Sequence, residues 1–231
     1  VLPADFYDRP VLDVARDLIG CVVEHDGLAG MIVETEAYHE SEPACHAFIG
    51  ITPRTRTLYE EPGTAYVYRS YGIHALLNAV CEPRGVGAAV LIRALEPLAG
   101  VEEMRARRSR ALRPRAGSAP AAGARHHELC SGPGKLTQAL GVEMAVNGTS
   151  LVSGPVTIRV GDPPVDSHAL HHEGLADAHA PAHEGSPDSL PLLTGPRIGI
   201  TKAVELPWRF CLAGNPHVSR PLPREPAAAL R

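Results

Sequence analysis

CVVEHDGLAGMIVETEAY, from Cys21 to Tyr38, reads as two strands, Cys21 to Glu24 and Gly30 to Tyr38, joined through His25-Asp26-Gly27. Successive side chains of a strand point to opposite faces. Ile32, Glu34, Glu36 and Tyr38 therefore share one face, and Met31, Val33, Thr35 and Ala37 share the other. Two carboxylates and a tyrosine backed by an apolar face admit two readings. One is an edge strand with a solvated acidic face. The other is a carboxylate base beside an aromatic platform.

The flanking sequence extends the hairpin pattern. Thr64 to Val80 alternates around Ser70-Tyr71-Gly72 and reads as a second hairpin, with Tyr71 near its tip. Aromatic residues are 4% of the chain, yet four of the six tyrosines fall between Tyr59 and Tyr71, so this hairpin is marked out. Tyr66 and Tyr68 share one strand face, where core or cross-strand packing is the ordinary use of tyrosine. A tyrosine beside a turn glycine fits a core poorly. An exposed tip of that kind suits a wedge pushed between base pairs.

Asp8-Arg9-Pro10 starts a helix that carries Val11, Leu12, Ala15, Leu18 and Ile19 at helical spacing. His39 to Thr57 has no period and reads as a long surface loop, a type that often carries function. Gly87 to Arg93 reads as a buried strand, and Val101 to Leu112 as a helix opening on Glu102 and Glu103. Ala116 to Gly123 is a small-residue linker, and a short helix follows Ser131-Gly132-Pro133. Thr149 to Val160, Ile198 to Ile200 and Trp208 to Leu212 read as the remaining strands. Val165 to Pro191 is expected to be a flexible insert, and the Pro- and Ala-rich tail from Pro221 to be loose. Strands in hairpins, rather than regular strand–helix alternation, predict one α+β domain over residues 1–231 with a largely antiparallel sheet.

The 231 residues, 44% of them apolar, suffice for one large core. No apolar run approaches a membrane span. VLPADFYDRP carries charge and proline where a secretion signal has its apolar core. The five cysteines, Cys21, Cys45, Cys81, Cys130 and Cys211, are too dispersed for a metal knuckle or a disulfide framework. They predict buried or free thiols in a reducing cytoplasm. A net charge of −4 argues mildly against nucleic-acid binding. The distribution argues the other way, because Met104 to Arg115 holds six arginines, although a solvated helix face is the simpler reading of that run.

Three motifs mislead. Ser131 to Thr137, SGPGKLT, lacks the first glycine of a nucleotide-binding loop and has Leu136 where a metal-binding hydroxyl is needed. A phosphate contact at a helix N-terminus with Lys135 survives as a weaker reading. His168, His171, His172, His179 and His183 lack acidic or cysteine partners at ligand spacing, and their surroundings favour a mobile loop. Asn147-Gly148-Thr149 is a turn rather than a glycosylation acceptor.

IVETEAY (Ile32 to Tyr38), His46, TPRTR (Thr52 to Arg56), PGTAYVYRSYG (Pro62 to Gly72), Asn78, LIRALEPL (Leu91 to Leu98), ELCSGPGKL (Glu128 to Leu136) and PRIGITKAVELPWRF (Pro196 to Phe210) together resemble the alkyladenine, or 3-methyladenine, DNA glycosylase family. The resemblance implies a curved sheet flanked by helices, with a protruding β-hairpin that inserts into DNA. It implies a bacterial, cytoplasmic, monomeric base-excision enzyme with no cofactor and no metal, acting on damaged purines in double-stranded DNA. Glu36 matches the residue that activates water, and Arg93 one that helps hold that water and a phosphate. Tyr38 and Tyr68 match the aromatics that sandwich the flipped base, His46 a contact on its edge, and Asn78 a residue that crowds the purine 2-position. Tyr71 matches the wedge. The acidic balance and the segment Val165 to Pro191 depart from the family pattern.

The chemistry accounts for these residue types. A base must leave the stack to be reached, at a cost of about a few kcal/mol. Stacking on aromatics returns roughly 1–3 kcal/mol. Departure of the base leaves positive charge on the sugar, which a carboxylate stabilises while deprotonating water. Two alternatives stand beside this reading. Glu34 and Glu36, about 6.6 Å apart at Cα as i and i+2 of a strand, approach the spacing of an inverting carbohydrate hydrolase. That reading lacks tryptophan-lined sugar subsites, since Trp208 is far off in sequence. The other is a non-catalytic damaged-DNA-binding module, which has no need of Glu36.

Overall fold

The computed structural model describes residues 1–70, 72–111, 124–161 and 192–222. Their eight strands form one curled antiparallel sheet: β1 (Val22–His25), β2 (Leu28–His39), β3 (Ala65–Ser70), β4 (His74–Val80), β5 (Ala88–Ala99), β6 (Val156–Arg159), β7 (Leu192–Gly195) and β8 (Arg209–Leu212). The path is β3-β4-β5-β2-β1-β6, while β8 pairs with β2 and β7 pairs with β8. Helices α1 (Ala4–Tyr7), α2 (Val11–Asp17), α3 (Val101–Ala111) and α4 (Pro133–Leu140) flank the sheet. Among the described residues, no helix is long and apolar enough to cross a membrane.

The opening hairpin forms as its turn residues dictate. Asp26 and Gly27 both have positive φ, 51° and 75°, the backbone of a type I′ turn that suits strand twist. β2 is not an edge strand. It pairs with β5 along one side and with β1 and then β8 along the other, so Glu34 and Glu36 are wholly buried. The solvated acidic face is thereby excluded.

Strand alternation then sorts the residues. Val67, Leu77, Ala79, Val90 and Ile92 belong to the main core, against which the helices pack. Thr35 ties that side to α2 by donating its hydroxyl to Ala15 O at 2.7 Å. The opposite parity places Tyr66 and Tyr68, Leu76 and Asn78, Leu91 and Arg93, and Tyr38 around a cleft. The β2–β5 register skips Arg93 on one strand and Val33 on the other. Such bulges bend a strand and re-aim a side chain. Simple alternation therefore holds from Glu34 to Tyr38, while Ile32 joins Val33 in the main core.

Several expectations need correction. β5 runs on beyond Arg93 to Ala99, because the first half of β2 supplies a partner for it. Between Thr149 and Val160 only β6 is a strand, and Ser150 adds a single bridge to Thr64. Ile198 to Ile200 is a loop with Gly199 at φ 77°, and the strand in that region is β7 instead. The long loop after β2 carries two short 3-10 turns, His46–Ile49 and Arg56–Tyr59. Cys45, Ala47 and Leu58 pack there with Tyr66, Val80 and Ala89 in a second apolar cluster.

All five cysteines are buried free thiols, as expected. Asn147 and Gly148 form a turn, Asn147 accepting from Val67 N at 2.9 Å. On α3 the arginines serve the fold more than a solvated face. Arg105 donates to Ala124 O, Arg107 to Leu140 O and Arg108 to Gln138. Arg110 is exposed and pairs with Glu103 at 3.4 Å. Arg113 and Arg115, the small-residue linker, the histidine-rich insert, Tyr71 and residues 223–231 lie outside the described residues. At the start of the expected tail, Leu222 packs on the core.

Candidate active site

A cleft of about 610 Å³ opens between β3, β4 and β5, the loop after β2, and the loop from Ile198 to Lys202. That volume suits a small organic ligand. Tyr38, His46, Tyr68, Asn78 and Arg93 line it, so five of the site residues read from the sequence meet there. Tyr66 and Tyr68 stack with ring centroids 5.4 Å apart, and the His46 ring meets Tyr68 edge-on at 4.6 Å. Arg54 lies over the Tyr68 ring at 5.6 Å.

Glu36 lies behind this wall. Its side chain is 0% exposed, which means that everything reaching it is fixed by the fold. Oε2 accepts from the Tyr38 hydroxyl at 2.8 Å and from Arg93 Nη1 at 3.1 Å, and Oε1 accepts from Ile198 N at 2.7 Å. A carboxylate has about four acceptor positions, so three donors leave room for one more. Burial pushes the Glu36 carboxyl above the usual carboxylate range, against the opposing pull of Arg93, the Ile198 N–H and the Tyr38 hydroxyl. Burial also raises the Tyr38 hydroxyl, and the Glu36 carboxylate adds to it. Tyr38 therefore stays protonated and donates.

Glu34, one turn of the pleat away, has a different setting. Oε1 accepts from Arg93 Nε at 3.2 Å, Arg209 Nε at 2.7 Å and Ser219 Oγ at 2.9 Å, while Oε2 accepts from Ser219 N at 2.7 Å. It is a structural hub that pins the segment after β8 to the sheet. Burial disfavours the Arg93 charge, but Glu36 and Glu34 together more than offset this and hold the guanidinium above its ordinary range.

His46 is pushed below the usual imidazole range by burial and by Arg54, so its neutral form presents one donor and one acceptor. Arg54 Nη2 faces Nε2 at 3.5 Å and can only donate. This directs the imidazole proton to Nδ1, which lies 3.2 Å from the Tyr66 hydroxyl. Asn78 is buried with Nδ2 donating to Tyr66 O and Leu76 O, which fixes its amide plane at the cleft wall. Lys135 does not line the cleft; its ammonium donates to Ser131 Oγ at 3.2 Å at the start of α4.

The sequence reading missed a second set of charges. Arg197 pairs bidentately with Glu42 at 2.6 and 3.0 Å and donates to Ala37 O at 2.9 Å. Its guanidinium sits 4.6 Å from the Tyr38 ring and 5.3 Å from Trp208. Glu34, Glu36 and Glu42 with Arg93, Arg197 and Arg209 make a charge-balanced buried group, each under a tenth exposed. Removing any one member leaves a buried charge uncompensated. Their positions in PRIGITKAVELPWRF and SEPACHAF were the available signal, but ion pairing over 155 to 175 residues leaves no periodic trace. Among the described residues, no group of histidine, cysteine or carboxylate side chains is arranged to hold a metal.

An aromatic cleft backed by a buried carboxylate and guanidinium defines a site for a flat heterocycle next to a hydrolytic centre. The comparisons carry this further: the chain belongs to the methylpurine-DNA glycosylase family, whose family model matches residues 5–216. It is thus a DNA base-excision repair enzyme, a hydrolase of N-glycosyl bonds. A relative from Bradyrhizobium diazoefficiens, named "Putative 3-methyladenine DNA glycosylase", is 45% identical over 95% of this chain and 90% of its own. Relatives of the same name from Nitrosospira multiformis and Methanoculleus marisnigri are 42% and 43% identical. They cover 97% and 95% of this chain, and 96% and 98% of their own lengths.

Proposed function

We propose that this enzyme extrudes an alkylated or deaminated purine, of the 3-methyladenine, 7-methylguanine, hypoxanthine or ethenoadenine type, from duplex DNA. It seats the base between Tyr38 and Tyr68 and hydrolyses the N-glycosidic bond with water activated by Glu36, leaving an abasic site. The observation that carries this reading is the Glu36 carboxylate, buried beside the cleft with three of its acceptor positions engaged. The raised carboxyl suits a general base, whose proton affinity must approach that of the working pH. Arg93 opposes that rise and offers the cleft its own cationic edge.

The other roles follow from position. Neutral His46 contacts the base edge, and the fixed Asn78 amide crowds a purine 2-amino group and so disfavours normal guanine. Tyr71 is the wedge in this reading, and Lys135 at the start of α4 contacts a backbone phosphate. The reading takes the enzyme as a cytoplasmic monomer. The carbohydrate-hydrolase alternative weakens further, because Glu34 is fully engaged by Arg93, Arg209 and Ser219 and unavailable as a second catalyst. The test is single-turnover excision on duplexes that each carry one lesion, with Glu36→Gln as control. Release of a damaged purine by the wild type alone supports the reading; equal release by both proteins overturns it.

A further inference from the structure

Arg197 joins the two halves of the site without lining the cleft. It lies two residues beyond β7, and its side chain is 0% exposed. The fork of its guanidinium grips both oxygens of Glu42, whose Oε2 also accepts from Ala44 N at 2.7 Å. Nη1 reaches back to Ala37 O, the residue between Glu36 and Tyr38. One face of the guanidinium covers the Tyr38 ring, and Trp208 packs within 5.3 Å. The next residue, Ile198, gives its N–H to Glu36 Oε1.

Planar, bidentate and stacked contacts of this kind define an orientation that no other cation reproduces. Both groups next to Arg197 belong to the cleft wall, Tyr38 and Ile198. On the reading of Glu36 as the base, we propose that Arg197 is a positioning residue: gripping Glu42 and stacked on Tyr38, it sets the plane of the Tyr38 ring and holds the Ile198 N–H on Glu36.

The groups facing Glu36 are Arg93 from β5, Tyr68 from β3, Tyr38 and Glu34 from its own strand, and Ile198 from the loop after β7. From β8, the Cys211 thiol also faces it, and Arg209 lies opposite in register but is engaged by Glu34. Of these contacts, the two from Tyr38 and Ile198 run through Arg197. Both donate to the ionised form of Glu36, so loosening them moves its titration upward.

Two variants test this. Arg197→Lys keeps the charge but loses the fork and the flat stacking surface. Glu42→Gln loosens the grip while leaving the guanidinium in place, and it carries the test should Arg197→Lys not fold. The Glu36 carboxyl is followed directly by carbon-13 NMR titration, assigned with Glu36→Gln. Single-turnover excision of hypoxanthine is measured beside it. In a cooperatively folded variant the Glu36 titration is expected to rise by about one unit. Excision at neutral pH is expected to fall by about tenfold or more. An unmoved titration overturns the proposal, whether or not excision falls, because slower excision alone marks a merely structural role. A moved titration in a wild-type background that excises no lesion supports the clamp and sinks the glycosylase reading of the cleft.

Discussion

The Tyr38 hydroxyl donates to Glu36 Oε2 at 2.8 Å across two positions of one strand. The ring proposed to stack on the base is therefore tied to the carboxylate proposed to activate water. Hydrogen bonds to a charged group contribute about 1.5–3 kcal/mol, or roughly one to two units on the carboxyl. Tyr38→Phe keeps the stacking face and removes this bond. Its acidic limb in the pH profile of single-turnover excision is expected to move up by about one unit, with lesion-DNA binding little changed. An unmoved limb would show that Tyr38 serves stacking alone.

Glu34 and Glu36 are expected to separate by phenotype. Glu36→Gln should abolish excision while retaining binding to lesion duplexes, because the base acts on water rather than on affinity. A rate within about threefold of wild type is incompatible with its role. Glu34→Gln removes the negative charge that Arg93 and Arg209 face and leaves a single oxygen to accept from Arg93, Arg209 and Ser219. Breaking a buried pair from one side costs about 3–5 kcal/mol. Urea unfolding is the measurement, and it should show the larger loss of stability in Glu34→Gln.

These two carboxylates also show where sequence reading reaches and where it stops. Period-two alternation brought Glu34, Glu36 and Tyr38 to one face, and did the same for Tyr66 and Tyr68, because pleating is local. Whether that face meets solvent or protein depends on Arg93 and Arg209, which arrive from 59 and 175 positions away. The bulges at Val33 and Arg93 are likewise set by pairing between strands, so simple alternation misplaces Ile32, which lies in the main core. Ile198 to Ile200 has β-branched residues and looks like a strand, but its backbone turns at Gly199 to wall the cleft. Trp208 is far from the other motifs in sequence, yet it packs against Arg197, which also stacks on Tyr38. The motifs, by contrast, named the members of the cleft without showing how Glu42 and Arg197 support them.

The raised Glu36 carboxyl has a consequence for stability. Its folded value lies above the ordinary 4.5, so the folded chain binds the proton more tightly than the unfolded chain. The resulting stabilisation is complete below 4.5 and is lost as pH rises through the folded value. Wild type and Glu36→Gln are compared by urea unfolding over that window, glutamine serving as the group that does not titrate. The stability of wild type relative to the variant is expected to fall as pH rises. A relative stability that increases with pH would mean that Arg93 outweighs burial and that the carboxyl is depressed.

The last expectation is that excision is hydrolytic, leaves an intact abasic site and cuts no strand. Strand cleavage proceeds through a Schiff base, which needs an amine activated by a desolvated setting or a neighbouring cation. The chain has two lysines, Lys135 and Lys202. Lys135 is held by Ser131 at the start of α4 and does not line the cleft. Lys202 does line it, which the sequence did not reveal, and so it is the amine to test. Its side chain is exposed at the rim, outside the buried charge group that surrounds Glu36. Glu36 instead has three donors for about four acceptor positions, so in the proposed reading water is its partner and no covalent intermediate is required. Borohydride added during turnover should therefore trap no protein–DNA adduct, and Lys202→Ala should excise within about threefold of wild type. A trapped adduct that disappears in Lys202→Ala would replace hydrolysis with amine attack and reassign Glu36 to supporting that amine.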